Sequence, residues 1–303
     1  MKEFTIRILS APEEMWALEN IQRQVWGGND TEIVPAHLLL AASHNGGLVI
    51  GAYASLPKDK PETHPPSPAD LIGFVFSFPA LDFVAGKAVP KHQSHMLAVL
   101  TPYREKGVGF LLKRAQWQMV RHQGLERISW TYDPLLSRNA YLNIAKLGAV
   151  CNTYLRDEYG KLRDELNAGD NTDRFQVDWW VNSTRVERRL SRRARLALDL
   201  AHYLEAGVEI LNRTHIDEQN HPVPDDPPDL ASLRARLLLV EIPADYPSVR
   251  VEDPALARRW RLHFRGLCEG LFGRGYLATD FLHMGGEFPR SFYVFSNGEA
   301  TFT

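Results

Sequence analysis

The hexapeptide Arg104-Glu105-Lys106-Gly107-Val108-Gly109 joins an expected strand to an expected helix. At such a junction the first N–H groups of the helix lack intrahelical partners and the positive end of the helix dipole lies behind them, so the turn suits a pyrophosphate. Gly107 and Gly109 carry no Cβ, which lets phosphate oxygens approach the main chain and permits unusual backbone angles. The bare hexapeptide also fits a glycine-assisted turn with basic surface residues. Two other phosphate turns lack their residues: Leu112 stands where the dinucleotide fingerprint needs Gly or Ala, and Gly86-Lys87 is followed by Ala88 without the earlier Walker glycine. Upstream of the turn, His95 titrates in the range needed to take a proton at neutral pH; a capping or packing role is its alternative. His92 and Asp133 are reserve acceptors. Tyr141 and Tyr132 carry phenols that could give a proton or simply pack. Asn139 and Asn143, four apart, share a helix face where their amides could hold a ligand or form an ordinary polar surface. The sequence has no His-Glu-x-x-His, Cys-x-x-Cys or Gly-x-Ser-x-Gly, so zinc-hydrolase and α/β-hydrolase chemistry lack their groups and no metal is expected.

These residues need elements to hold them. Thr5 to Leu9 alternates as a strand. Ser10 is placed to cap a helix reaching Trp26, with Pro12 in its first turn and Glu13 three residues after the cap. Pro35 opens a second helix through Ala42, and Gly46-Gly47 breaks it before a strand over Leu48–Ala54. The proline-rich stretch 57–68 reads as an exposed excursion, followed by a strand over Leu71–Phe78. Ser94 to Leu100 is a buried strand, and Gly107 to Arg121 a helix with Phe110, Leu111, Ala115 and Met119 at helical spacing. Arg127 to Tyr132 completes a right-handed βαβ unit, whose ligand crevice lies at the strand carboxyl ends, where the hexapeptide sits. Ser137 is expected to cap the next helix, Gly148 to end it, and Asp173–Val181 to form a strand.

The strand Met96–Leu100, the Arg-x-x-Gly-x-Gly turn at 104–109, the strand ending at Asp133, and the helix Asn139-Ala140-Tyr141…Lys146-Leu147-Gly148-Ala149 resemble the GNAT N-acetyltransferases. The resemblance covers Phe4 to Val181, within a two-part group that has a long carboxyl-terminal extension. It implies a mixed α/β fold: a central mixed sheet flanked by helices over residues 1–183, then a smaller α/β lobe over 184–303. It implies acetyl-CoA, or another acyl-CoA, with the pyrophosphate on the main chain of Arg104, Glu105, Lys106, Gly107, Val108 and Gly109. The pantetheine arm would lie against Leu97, Ala98 and Val99, where two parallel strands splay, and Asn139 and Asn143 would help hold it. The reaction implied is direct transfer of an acyl group to a small-molecule or peptide amine, with His95 as base and main-chain donors at Leu97–Val99 facing the acyl oxygen. Many members carry a tyrosine acid near the end of the Asn…Lys-Leu-Gly helix; Ile144 stands there, leaving Tyr141 as the candidate acid. That departure supports a rival reading, a noncatalytic acyl-CoA sensor or scaffold.

In the remaining chain, Arg185 to Arg195 holds six arginines and one glutamate. A solvated helix joining two domains is the preferred reading; a third hypothesis, a tandem-lobe aminoacyl transferase using charged transfer RNA, draws on the same run. Asn220–Asp229 is a Pro/Asp-rich separator after a short strand at Val208–Leu211. Strands at Arg236–Ile242, Gly275–Leu282 and Ser291–Ser296 flank a helix at Asp253–Phe272. The spacing from Leu237 to Phe281 nearly matches that from Met96 to Tyr132, so the lobe reads as a degenerate repeat that covers the acceptor cleft. Trp179 and Trp180 must point to opposite strand faces, with one expected to pack between domains. Trp260, Arg261, Phe264, Arg265, Tyr276 and Arg290 read as a domain interface in preference to an acceptor pocket. The 303 residues carry 35 basic and 37 acidic side chains and two cysteines far apart, Cys151 and Cys268. This balance favours neither nucleic acid nor an anionic membrane, and a cytoplasmic, disulfide-free protein is expected, with a homodimer allowed. No signal core or spanning apolar run is present in the sequence.

Overall fold

Among the described residues up to Tyr132, element periodicity becomes five strands and three α-helices. β1 (Thr5–Ile8) leads to α1 (Pro12–Trp26), α2 (Ala36–His44), β2 (Leu48–Tyr53), β3 (Leu71–Val84), β4 (Lys87–Val99), α3 (Val108–His122) and β5 (Arg127–Tyr132). The computed structural model describes residues 4–27, 32–54, 66–160, 171–191 and 198–298; most of the proline-rich excursion lies outside them. By compactness the chain forms two units, one up to Trp130 and one from Thr131 onward.

In the first unit the strands order as β1-β2-β3-β4-β5. The core packs Met15, Leu18 and Ile21 of α1 and Leu39 of α2 on Phe74 and Phe76 of β3. The start of α1 differs from expectation. Pro12 takes the first helical position, which places Ala11 and not Ser10 at the cap. Glu14, not Glu13, closes the end: its Oε2 accepts the N–H groups of Ser10 at 2.9 Å and Ala11 at 3.1 Å. α3 also turns a different face inward. Val108, Leu112, Lys113, Gln116 and Val120 are buried, while Phe110, Leu111, Ala115 and Met119 are only half-buried. Polar Lys113 and Gln116 hide this stripe from a hydrophobicity count.

The second unit contains α4 (Ser137–Ala140), which runs into a π-helix (Tyr141–Lys146), then β6 (Val150–Leu155), β7 (Arg174–Trp180), α5 (Thr184–Leu190) and α6 (Leu200–Glu205). β8 (Glu209–Ile210), β9 (Thr214–Ile216), β10 (Pro222–Pro224), β11 (Leu237–Ile242), α7 (Tyr246–Glu252), α8 (Pro254–Phe272), β12 (Leu277–Met284) and β13 (Arg290–Ser296) follow. Its strands order as β7-β6-β12-β13-β11-β8. β6 is absent from the expected elements because Asn152 is an extra residue in its pairing with β7, which breaks the alternation. Ser137 is the first helical residue and not the cap, and its hydroxyl pairs with Ser291 Oγ at 2.7 Å. Gly148 does end the helix, at φ 78°.

The near match in spacing between Leu237–Phe281 and Met96–Tyr132 does not extend to topology. β4 and β5 are direct parallel neighbours, whereas β13 lies between β11 and β12 and pairs antiparallel with both. What repeats is a helix, a left-handed glycine and an antiparallel hairpin: the π-helix, Gly148 and β6–β7, then α8, Gly275 and β12–β13. Among the described residues no helix is long and apolar enough to cross a membrane.

Candidate functional site

β4 pairs with β3 along its length, from Val84↔Lys87 to Gly73↔Val99. On its other side the parallel ladder with β5 covers only His92↔Ile128 and Gln93↔Ser129, closed by Ser129 Oγ donating to Gln93 Oε1 at 2.9 Å. Beyond Gln93 no strand pairs with that edge of β4 among the described residues, which leaves main-chain groups there, apart from the Val99 carbonyl held by Arg104, for an extended partner. The register jumps at the same point: Ser77 faces Ser94 and Phe76 faces Met96, so His95 is the bulged residue. The His95 ring is exposed, yet it lies 6.0 Å from both Phe76 and Phe78. Desolvation in these surroundings holds its pKa below the ordinary histidine value, so the neutral imidazole prevails at pH 7. Leu97 and Val99 are half-buried on the open stretch, and Ala98 is buried.

The turn follows directly. A 3₁₀ turn at Thr101–Tyr103 leads into Arg104, whose Nε donates to Val99 O at 3.0 Å. Lys106 Nζ bonds the Pro102 carbonyl and lies 5.3 Å from the Tyr103 ring centroid. Both basic side chains thus bond carbonyls of the loop and of the strand before it. Glu105 and Gly107 have φ of 64° and 83°, and Gly107 is the N-cap of α3, with no side-chain cap. No atom lies within 4 Å of where a Gly107 Cβ would stand. Val108 is buried and fixes the helix start, and Gly109 is half-buried. Left-handed residues before an uncapped helix form a concavity of N–H groups suited to an anion.

Beneath the bulge lies a group absent from the expected site. Lys113 Nζ donates to Ser94 Oγ at 3.0 Å and to Gln116 Oε1 at 2.8 Å, and sits 3.6 Å from the Trp130 ring centroid. Gln116 Nε2 also reaches Ser94 Oγ, at 3.1 Å. Burial pushes the Lys113 ammonium well below the ordinary lysine range. The signal for it was the i+4 series Val108, Leu112, Gln116, Val120, which places Lys113 beside the inward stripe. His92, a reserve base, is fully buried with Nε2 3.2 Å from Gly46 O, and burial lowers its pKa to about 4. It does not face solvent.

The remaining candidates belong to the second unit. Asn139 is half-buried, Asn143 is buried, Ile144 is fully buried, and Tyr141 is exposed with Lys146 Nζ 5.3 Å from its ring centroid. Tyr132 is buried against Tyr293, hydroxyl to hydroxyl at 3.1 Å, and burial raises its pKa. Asp133 is bound on both oxygens by Arg261 at 2.7 and 2.8 Å, which removes it as a reserve base. The described part of the arginine run is not a solvated helix. Arg185 donates to the carbonyls of Gly148 and Thr279, and Arg189 to Ala145 O and Asp280; residues 192–197 lie outside the described residues. Trp179 is buried with its indole N–H on Leu147 O at 2.8 Å, and Trp180 is exposed. Of the carboxyl-terminal group, Trp260 holds Pro222 O, Phe264 packs 5.8 Å from Phe175, and Tyr276 holds Ala235 O. Arg265 binds Asp173, and Arg290 binds Glu241. No group of three or more potential metal ligands occurs among the described residues.

No protein-family model and no curated protein matches the sequence. Solved structures are similar to it. One is Arabidopsis thaliana NAA60 in complex with acetyl-CoA, at 15% identity and TM-score 0.45 over 59% of this chain and 99% of that one. Another is aminoglycoside 6'-acetyltransferase type Ii, at 16% identity and TM-score 0.40 over 58% and 97%. A third is the GNAT-family N-acetyltransferase YhbS from Escherichia coli in complex with CoA, at 19% identity and TM-score 0.34 over 46% and 68%.

Proposed function

We propose that this chain is a GNAT-superfamily, acyl-CoA-dependent N-acyltransferase, with acetyl-CoA as donor and a small-molecule or peptide amine as acceptor. The observation that carries the reading is a parallel strand pair interrupted after Gln93, with the bulge at His95 on one side and the uncapped αL turn at Gly107 on the other. The residues present fit the donor. The main chain of Arg104–Gly109 would hold its pyrophosphate, and the open edge of β4 at Leu97–Val99 would pair with the amides of its arm. When bound, the donor supplies an acyl group activated as a thioester.

His95 acts as the base. Kept neutral by its surroundings and exposed to solvent, it takes the proton that the acceptor amine must lose. Tyr141 is the proposed acid, and Asn139 and Asn143 the proposed polar contacts to the ligand. The division into an acyl-CoA-binding part, residues 1–183, and a carboxyl-terminal lobe, residues 184–303, belongs to the same proposal, as does a cytoplasmic setting.

The test is an assay of CoA thiol release from acetyl-CoA across a panel of polyamines, aminoglycosides and peptides with free N-termini. His95→Ala is expected to lower kcat by roughly 10²–10⁴ with acetyl-CoA affinity kept. The wild-type rate should rise with pH through a midpoint below 6.5, because the base works deprotonated, and the variant should lack this limb. An unchanged kcat removes His95 as base. The buried Ile144 favours a second reading, an acyl-CoA sensor; turnover of any amine rejects it.

A further inference from the structure

Many arginines of the second unit are tied down and some are not. Arg156, Arg189, Arg261, Arg265 and Arg290 each meet a carboxylate, on Glu269, Asp280, Asp133, Asp173 and Glu241. Arg234, Arg236 and Arg274 have no carboxylate partner among the described residues; Arg234 and Arg274 donate only to nearby carbonyls, those of Ala231, Leu233 and Gly270. All three line one cavity of about 1170 Å³, together with Arg185, and no Asp or Glu is among the residues lining it. In a chain of net charge −2, three arginines without a carboxylate partner among the described residues thus stand around one concavity. A low-dielectric wall focuses such a field inward and raises the local concentration of anions.

We propose that this cavity binds a small phosphate-bearing anion of charge −2 or more. Several guanidinium forks match the geometry and charge of a phosphate or pyrophosphate, whereas one carboxylate would leave most of them unanswered. The volume is of the order of a small-molecule site, about 300–1,000 Å³. A nucleic-acid strand is the poorer match: the charges surround a hollow and do not follow a stripe, and Tyr276, the aromatic residue in the wall, is buried with its hydroxyl on Ala235 O. The site lies apart in sequence from the turn at 104–109 and does not depend on the acyl-CoA reading.

The full chain carrying Gly107→Trp, which blocks the proposed turn site, is titrated with sodium pyrophosphate by calorimetry at low ionic strength. Saturable binding is expected, with a rise in thermal midpoint on adding pyrophosphate. Adding Arg236→Gln and Arg274→Gln is expected to weaken binding by about a hundredfold, roughly tenfold for each charge-assisted donor group removed. Arg234→Gln, on an exposed loop position, repeats the test at about tenfold should the combined variant fail to fold. No saturable heat at millimolar pyrophosphate overturns the proposal, as does affinity unchanged by all three substitutions. Single-stranded RNA binding more tightly than pyrophosphate, and weakened by the same substitutions, overturns the assignment to a small ligand.

Discussion

In the first unit Lys113 is buried against a hydroxyl, an amide and an indole face, those of Ser94, Gln116 and Trp130, whereas in the second Arg261 is buried with both its terminal nitrogens on Asp133. The sheets differ in parallel. β4 and β5 pair at two positions and then part, while β11 and β13 pair without a break from Leu237↔Ser296 to Ile242↔Ser291. A bidentate ion pair fixes two elements and removes both charges from any other use. An incomplete ladder leaves backbone groups available to a ligand, and the polar cluster under Ser94 anchors the strand beside the bulge, where the ladder no longer does. The second unit thus commits Asp133 and Arg261 to cohesion, and the first leaves His95 and the turn at Gly107 exposed.

The largest effect that would break this contrast is in the second unit. Asp133→Ala leaves Arg261 buried without its carboxylate and should cost about 3–5 kcal/mol in urea denaturation, with Asp133→Leu plus Arg261→Met recovering much of it. A loss below about 1 kcal/mol would mean that the pair contributes little cohesion. Next is a pH effect centred on His92. Its folded pKa of about 4 lies below the ordinary 6.5, so the unfolded chain binds more protons between these values. Stability is therefore full above pH 6.5 and falls as pH drops toward 4, by about 3 kcal/mol from this residue. His92→Gln, which can still donate to Gly46 O, should flatten that limb; a limb as steep as in wild type would place the loss elsewhere, with buried His263, also lowered to about 4, as the nearest source. The smallest effect is Lys113→Met. It removes a dehydrated ammonium and leaves Gln116 bonded to Ser94, so stability should change by less than about 1.5 kcal/mol. A loss above about 3 kcal/mol would show that the buried amine is as integral to the first unit as Arg261 is to the second.

Where signals are local, the fold was legible in both units. The turn residues, the strand over Arg127–Tyr132 and the helix end at Gly148 each follow from a few neighbours. The inward face of α3 was not, since Lys113 and Gln116 are polar residues buried by a partner on another strand. Asp133 and Arg261 are 128 residues apart, and nothing in either neighbourhood announces the pair. The arginine run misled for the same reason: Arg185 and Arg189 look like a solvated face until Thr279 O and Asp280 come within reach. The βαβ spacing in the second unit was real but insufficient, because spacing does not specify that β13 inserts between β11 and β12.

The open edge and its turn are the centre of the account, and calorimetric titration of the full chain with acetyl-CoA, CoA and 3'-dephospho-CoA addresses them directly. Wild type should bind acetyl-CoA in the micromolar range. Gly107→Trp, whose side chain enters the space now open before the turn and whose positive φ costs about 1 kcal/mol of stability, should lose at least about tenfold in affinity and stay folded. No binding by wild type, or equal affinity in the folded variant, would contradict the assignment of this edge and turn to acyl-CoA.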